Sequence, residues 1–196
     1  MKNIFFKYLF AVVLISITNT AKSQFVCNVY WTEQTNMPSS ETIYYSNSRP
    51  LKWVDFKGQP DLSSIAAATT ASGFGYKADY KNNGSNAQLN IGVYCYFSKT
   101  SSWVKPGKTT QYILNHEQQH FDVSYIAANM FLQRLKTYNL TRDNYKAMLP
   151  KLYNECVALM NKMQQEYDGQ TKNGQLKDEQ AKWDALISKQ LKEFIK

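Results

Sequence analysis

The chain contains two histidines, His116 and His120, four residues apart in the stretch NHEQQHFD (115–122). On a helix, residues at that spacing leave from one face, one turn above the other. Two imidazole nitrogens can then meet a single ion. Glu117 follows the first histidine, about 100° further round the axis. From there its carboxylate does not easily join the same ion, but it can reach a water beside it. The chemistry this pattern suits is a zinc ion held by His116 and His120, with Glu117 as general base for the water. Random placement of two histidines gives this spacing with a following glutamate roughly once in a thousand sequences of ordinary composition. The plainer reading, two satisfied core or surface histidines, has to explain why a mostly apolar helix would bury them unpartnered. Ile113, Leu114, Phe121, Val123, Ile126 and Phe131 surround them in sequence.

A catalytic zinc ordinarily takes three protein ligands and a water. There is no third histidine, so the remaining ligand must be a carboxylate or an amide oxygen. Ile126 stands where a further histidine six residues on would complete one known pattern. Glu155 and Glu166 fall on the expected following helix, and Asp168 at its end, in a loop able to fold back over the site. Asp122, two residues past His120, points to another side of the helix, where it either accepts a hydrogen bond from a neighbouring element or is solvated.

Two kinds of element must hold these residues. The N-terminal half reads as β. ETIYYSNS (41–48) is a short strand, and LKWVDFKGQP (51–60) is a loop anchoring Trp53 and Phe56 in the core. The segments 65–80 and 87–99 flank KNNGSN, whose Asn83-Gly84 is a strong hairpin signal. In the second arm Leu89, Ile91, Val93, Cys95 and Phe97 alternate with more polar residues, the period of a half-buried strand. The C-terminal half reads as α. A helix is expected over 109–138 with Thr109 or Thr110 as N-cap, a second over 142–167 with Pro150 as a kink or a later start, and a third over 176–194. Gly169 and Gly174 bound the intervening loop. The expected class is therefore α+β, an N-terminal antiparallel sheet or hairpin followed by three helices, zincin-like, with the histidines on the first long helix.

Lys2 and Lys7, the apolar run 9–17 and the small residues Ala21 and Ser23 fit an export signal cleaved between Ser23 and Gln24. That leaves 24–196 as one domain, secreted or periplasmic, with no further stretch apolar enough for a membrane span. Its charge falls from +8 to about +5, spread evenly with no basic tract interleaved with aromatics, which argues against nucleic acid as partner. Cys27, Cys95 and Cys156 lack the spacing of a thiolate zinc site. Cys27 can bridge to Cys95 or Cys156, or all three can be free buried thiols.

With these segments in hand, the chain resembles the domain-of-unknown-function 922 family, described as predicted secreted zinc-dependent proteases. LKWVDFKGQP (51–60), SSW (101–103), NHEQQHFD (115–122) and EYDGQTKNGQLKDEQAKWDALI (166–187) carry the resemblance. It implies an exported metallopeptidase-like domain with His116 and His120 as ligands and Glu117 as base. Where the family pattern reads Y-D-x-x-T-x-H-G, this chain has Asn173 in place of the histidine. An anionic oxygen holds zinc better than a neutral amide, so Asp168 is the expected third ligand ahead of Asn173, Glu155 and Glu166. The expected activity is hydrolysis of a peptide or protein substrate, the extended peptide pairing with a strand such as 87–99. The rival expectation, favoured by Asn173, is a non-catalytic exported binding or structural domain with a degraded or purely structural metal site.

Overall fold

A computed structural model describes residues 24–84 and 86–194. The expected export segment, 1–23, lies outside the described residues. The elements run β1 (Gln24–Trp31), β2 (Thr42–Tyr44), β3 (Ala68–Thr69), β4 (Ser72–Asn83), β5 (Asn86–Ser98), β6 (Trp103–Val104), α1 (Gln111–Thr137), α2 (Tyr145–Thr171) and α3 (Lys177–Phe194). A sheet is followed by three helices, the α+β class read from the sequence.

The sheet is built around β5. Its partner β4 runs antiparallel along its whole length, from Ser72↔Phe97 to Asn83↔Asn86. Gly84 takes the left-handed φ of +79° that the turn requires and that glycine adopts without penalty. On β5, Leu89, Ile91, Val93, Cys95 and Phe97 are each 0% exposed, so the period of two in the sequence marks the buried face. The first arm begins later than its composition suggests. Residues 65–71 leave the hairpin, and β3 pairs instead with β6 in a separate two-stranded ladder, Ala68↔Val104 and Thr69↔Trp103.

The expectation of an antiparallel sheet needs correction. β1 lies parallel to β5, in register from Gln24↔Asn86 to Trp31↔Val93. β2 adds antiparallel to the remainder, Thr42↔Ser98 to Tyr44↔Tyr96. A parallel partner arrives through a long connection and leaves no turn signal beside it. Only three residues of the 41–48 segment form strand. The 51–60 segment contains a single turn of 3-10 helix, Trp53–Asp55, and buries Phe56 while Trp53 is half-covered. Both edges of β5 are thereby occupied along most of its length, so the proposed docking of a substrate strand on 87–99 does not hold.

Helix α1 lies across the buried face of the sheet. Thr110 caps it, its hydroxyl accepting from the Ile113 N–H at 3.2 Å. Phe121, Phe131 and Leu135 pack into the cluster that includes β5, while Val123 and Ile126 face Tyr167, Trp183 and Ile187. Burying each such side chain contributes roughly 1.5–3 kcal/mol. α1 is thus a central helix, which explains why its polar residues are covered. α2 starts at Tyr145, after Thr141 and Asn144 exchange hydrogen bonds, and it absorbs Pro150. Cys27, Cys95 and Cys156 are all free thiols. No helix among the described residues is long and apolar enough to cross a membrane.

Candidate metal centre

His116, Glu117 and His120 lie on the buried flank of α1 facing the C-terminal part of α2. α2 does not end at Tyr167 but continues to Thr171, so Asp168 stands in its final turn rather than in a loop. Gly169 sits within the helix. The chain reverses only at Lys172, Asn173 and Gly174, with φ of 48°, 52° and 76°. The Asp168 carbonyl accepts from the Asn173 N–H, and the Thr171 hydroxyl accepts from the Gly174 N–H. A left-handed run of this kind with non-glycine members costs of order 1–3 kcal/mol per residue and persists where the surroundings over-determine it. Here the surroundings include His116: a Cβ on Gly174 would stand 3.2 Å from its Nδ1. Tyr112 fixes the same turn by donating to the Gly174 carbonyl at 2.6 Å.

Three atoms converge between the helices. His116 Nε2 and His120 Nε2 are 3.3 Å apart. Asp168 Oδ1 lies 3.2 Å from the first and 3.1 Å from the second. Ligands about 2.0–2.1 Å from a tetrahedral zinc stand about 3.3 Å from one another. The triangle therefore has the dimensions of one face of such a shell, and His116, His120 and Asp168 could hold a metal ion together.

The tautomers follow from two glutamines. Gln164 Nε2 donates to the His120 carbonyl at 2.8 Å, which leaves its Oε1 against His120 Nδ1. Gln180 Nε2 donates to Asp184 Oδ1 at 2.7 Å, which leaves its Oε1 against His116 Nδ1 at 2.9 Å. An amide oxygen only accepts, so both Nδ1 atoms carry hydrogen and both Nε2 atoms are left for the centre. Two imidazole lone pairs and a carboxylate oxygen at these distances repel one another unless positive charge lies among them. A proton can supply part of it. Burial opposes charging of His120, but the Asp168 hydrogen bond and the Glu117 and Asp168 charges outweigh it and raise its pKa. Asp168 shows the counterpart: burial pushes its carboxyl up, yet His116 and His120 hold it well below the usual carboxylate range. Protons on both facing Nε2 atoms would set two cations side by side, whereas one divalent ion satisfies all three atoms.

Glu117 is 3% exposed, and its Oε2 is buried with no hydrogen-bond partner. Burial is the main cause of its raised pKa, with His120 pulling the other way. Thr70 and Ser72 donate to the carbonyls of Glu117 and His120 and so tie this part of α1 to the β3–β4 segment. The two histidines, Glu117 and Asp168 line a cleft of about 720 Å³ between that segment and α2.

No family model, curated protein or solved structure matches the chain. The resemblance drawn from its motif segments accordingly rests on those residues alone. Two of the segments have a packing role. Gly58 approaches Ser102 so closely that a Cβ would stand 2.8 Å from its carbonyl oxygen, and its N–H donates to that oxygen. Leu51 N–H donates to Gln118 on α1 at 2.8 Å.

Glu155 and Glu166 lie away from the cleft. Glu155 pairs with Arg134 at 3.0 Å and Glu166 with Lys162 at 3.8 Å, both on exposed positions. Asn173 lines the same cleft as the triangle. Asp122 is neither at the site nor solvated: it is buried and accepts from Tyr45 and from Gln118, each at 2.9 Å. Sequence reasoning missed Gln164, Gln180 and Tyr167. Tyr167 is fully buried, stacks on His116 with ring centroids 4.6 Å apart, and donates to the His116 carbonyl. Neutral amides carry no motif, and only the spatial neighbours of the imidazoles give them away.

Proposed function

We propose that the protein is an exported zinc-dependent peptidase with a zincin-like centre, in which His116, His120 and Asp168 hold the ion and Glu117 is the general base. The observation that carries this reading is the convergence of three ligand atoms, beside a buried carboxylate whose Oε2 has no partner, in an open cleft. Zinc bound there would supply Lewis acidity, lowering the pKa of a water and polarising the scissile carbonyl. Glu117 takes the proton from the attacking water and passes it to the amine as the C–N bond breaks. Its burial favours this exchange, because a carboxyl with a raised pKa is a better proton carrier near neutrality. Gln164 and Gln180 keep the imidazoles in the ligating tautomer.

The substrate backbone has a partner in β3. The Lys105 N–H donates to the Ala67 carbonyl, which makes Ala68 and Val104 the pair that exchanges no hydrogen bonds. The peptide groups of Ala68 then point away from β6, on a segment that lines the cleft. An extended peptide can add there as a further strand.

The second reading, a structural metal site, draws on the same triangle, since an ion there would brace α1 against α2. One experiment separates the two. Purified protein should carry about one zinc per chain and cleave peptides in a chelator-sensitive way. Glu117→Gln should lose at least about a hundredfold in rate while keeping its zinc. Full activity in that variant would remove the catalytic role. Stoichiometric zinc with no cleavage, and unfolding on chelation, would favour the structural reading.

A further inference from the structure

The rim of the cleft has an unbalanced charge. Lys105, Lys108 and Lys177 all line it. The lining acids among the described residues are Glu117 and Asp168, and both are committed to the centre. Asp61 lies close enough to Lys105 to feel its charge, but it belongs to an exposed turn and bonds Ser63. Asp184 is held by Gln180, and Glu179 by Lys182. Asp178 adjoins Lys177 in sequence. Asp61, Asp178, Glu179 and Asp184 do not line the cleft.

The three lysines come from two places: Lys105 and Lys108 share the connection between β6 and α1, and Lys177 lies at the start of α3. Lys105 follows β6 and is half-buried, its Nζ anchored on the Ser64 carbonyl. Lys108 stands in the exposed turn before α1. Lys177 opens α3, with its Nζ 5.8 Å from the centre of the Tyr112 ring. A solvated lysine ordinarily scatters over the surface, whereas these converge on one concavity next to the Ala68 edge.

We infer that the cleft selects peptides bearing carboxylate side chains near the scissile bond, read by Lys105, Lys108 and Lys177. This deepens the peptidase reading and rests on it for the nature of the chain being bound. The charge preference itself is a binding property and is measurable without turnover. Each partly solvated pair contributes modestly, so the combined preference over an uncharged analogue is about tenfold.

The test uses two acetylated, amidated dodecapeptides that differ only in glutamate against glutamine at positions flanking the central bond. Their cleavage is followed with the zinc-loaded wild-type protein, and their binding by calorimetry with zinc-loaded Glu117→Gln. The glutamate peptide should be cleaved and bound about tenfold better, with the advantage shrinking as salt rises. Lys108→Glu combined with Lys177→Glu should abolish or reverse the preference in both assays. Lys105 is left in place because it holds Ser64. Cleavage of both peptides at equal rates overturns the inference and leaves the peptidase standing. Preferential binding with no cleavage keeps the charge reading and removes the peptidase. Binding of neither peptide overturns the inference, and a preference that survives the double reversal overturns its assignment to these lysines.

Discussion

Asp122 and Asp168 are the same side chain in opposite surroundings, both in polar clusters packed on α1. Asp122 meets donors only: the Tyr45 hydroxyl and the Gln118 amide, while the Gln118 oxygen takes the Leu51 N–H. Every hydrogen bond there has a donor and an acceptor, and burial alone dominates, raising the Asp122 pKa to about 6. Asp168 meets two ring nitrogens whose hydrogens are held on the far side by Gln164 and Gln180. The first cluster is closed and needs nothing added. The second has an excess of lone pairs. Burial of polar residues on a helix is therefore not what marks a site. The imbalance of donors and acceptors is.

The largest expected effect breaks the open cluster. Zinc at a thousandfold excess over its Kd stabilises a folded chain by about 4 kcal/mol. For a chain of this size each kcal/mol shifts Tm by roughly 2–4 °C, so saturating zinc should raise Tm by about 10 °C. His120→Ala should lose that gain together with the bound metal. Asp122→Asn should keep both. Scanning calorimetry with and without zinc, beside metal analysis, checks the pair. An Asp122→Asn protein that loses its zinc would mean that the two clusters are not separate.

The next effect belongs to the closed cluster and appears as a pH slope. The folded Asp122 carboxyl binds its proton more tightly than the unfolded one, with a pKa of about 6 against 3.8. Below about pH 4 both states are protonated and the residue costs nothing. As pH rises towards 6 the unfolded state loses the proton first, and stability falls by up to about 3 kcal/mol, staying low above that. Asp122→Asn has no such group to titrate. Urea unfolding at pH 4 and pH 7 should show wild type losing ground to the variant at the higher pH. An unchanged difference between the two proteins would contradict the assignment.

The sequence made some of this plain and hid the rest for identifiable reasons. The Asn83-Gly84 hairpin and the β5 alternation were legible because their signals are local. The His116, Glu117 and His120 spacing was legible because a helical turn fixes it. β1 was not, because Val26 and Tyr30 on its outer face blur the alternation of Phe25, Cys27, Val29 and Trp31, and its parallel partner lies far along the chain. Gly169 reads in the sequence as a terminator and so puts Asp168 in a loop, whereas the helix ends where three successive left-handed residues can be held against His116 and Tyr112. The lysine rim was invisible because Lys177 joins Lys105 and Lys108 from about seventy residues further along the chain. Even spread in sequence is no guide to even spread in space.

The smallest effect tests the neutral hydrogen-bond partners of the imidazoles. Gln164 touches no candidate metal position, yet it fixes His120 through one amide, accepting at Nδ1 and donating to the His120 carbonyl. Gln164→Ala frees the ring to rotate or to move its hydrogen to Nε2, which would block ligation. Loss of a partner of this kind typically costs ten- to a hundredfold in metal affinity, and an amide should sit at the lower end because it adds no charge. Gln118→Ala, which disrupts the closed cluster by a comparable truncation, should leave zinc affinity unchanged. Competition against a chromophoric chelator measures both. If the two variants lose affinity equally, the effect is general loosening of α1 and the amides have no role in selecting the tautomer. If Gln164→Ala alone weakens binding, the orientation of His120 is set by its neutral partner, and the imbalance at the centre is built by residues that never reach it.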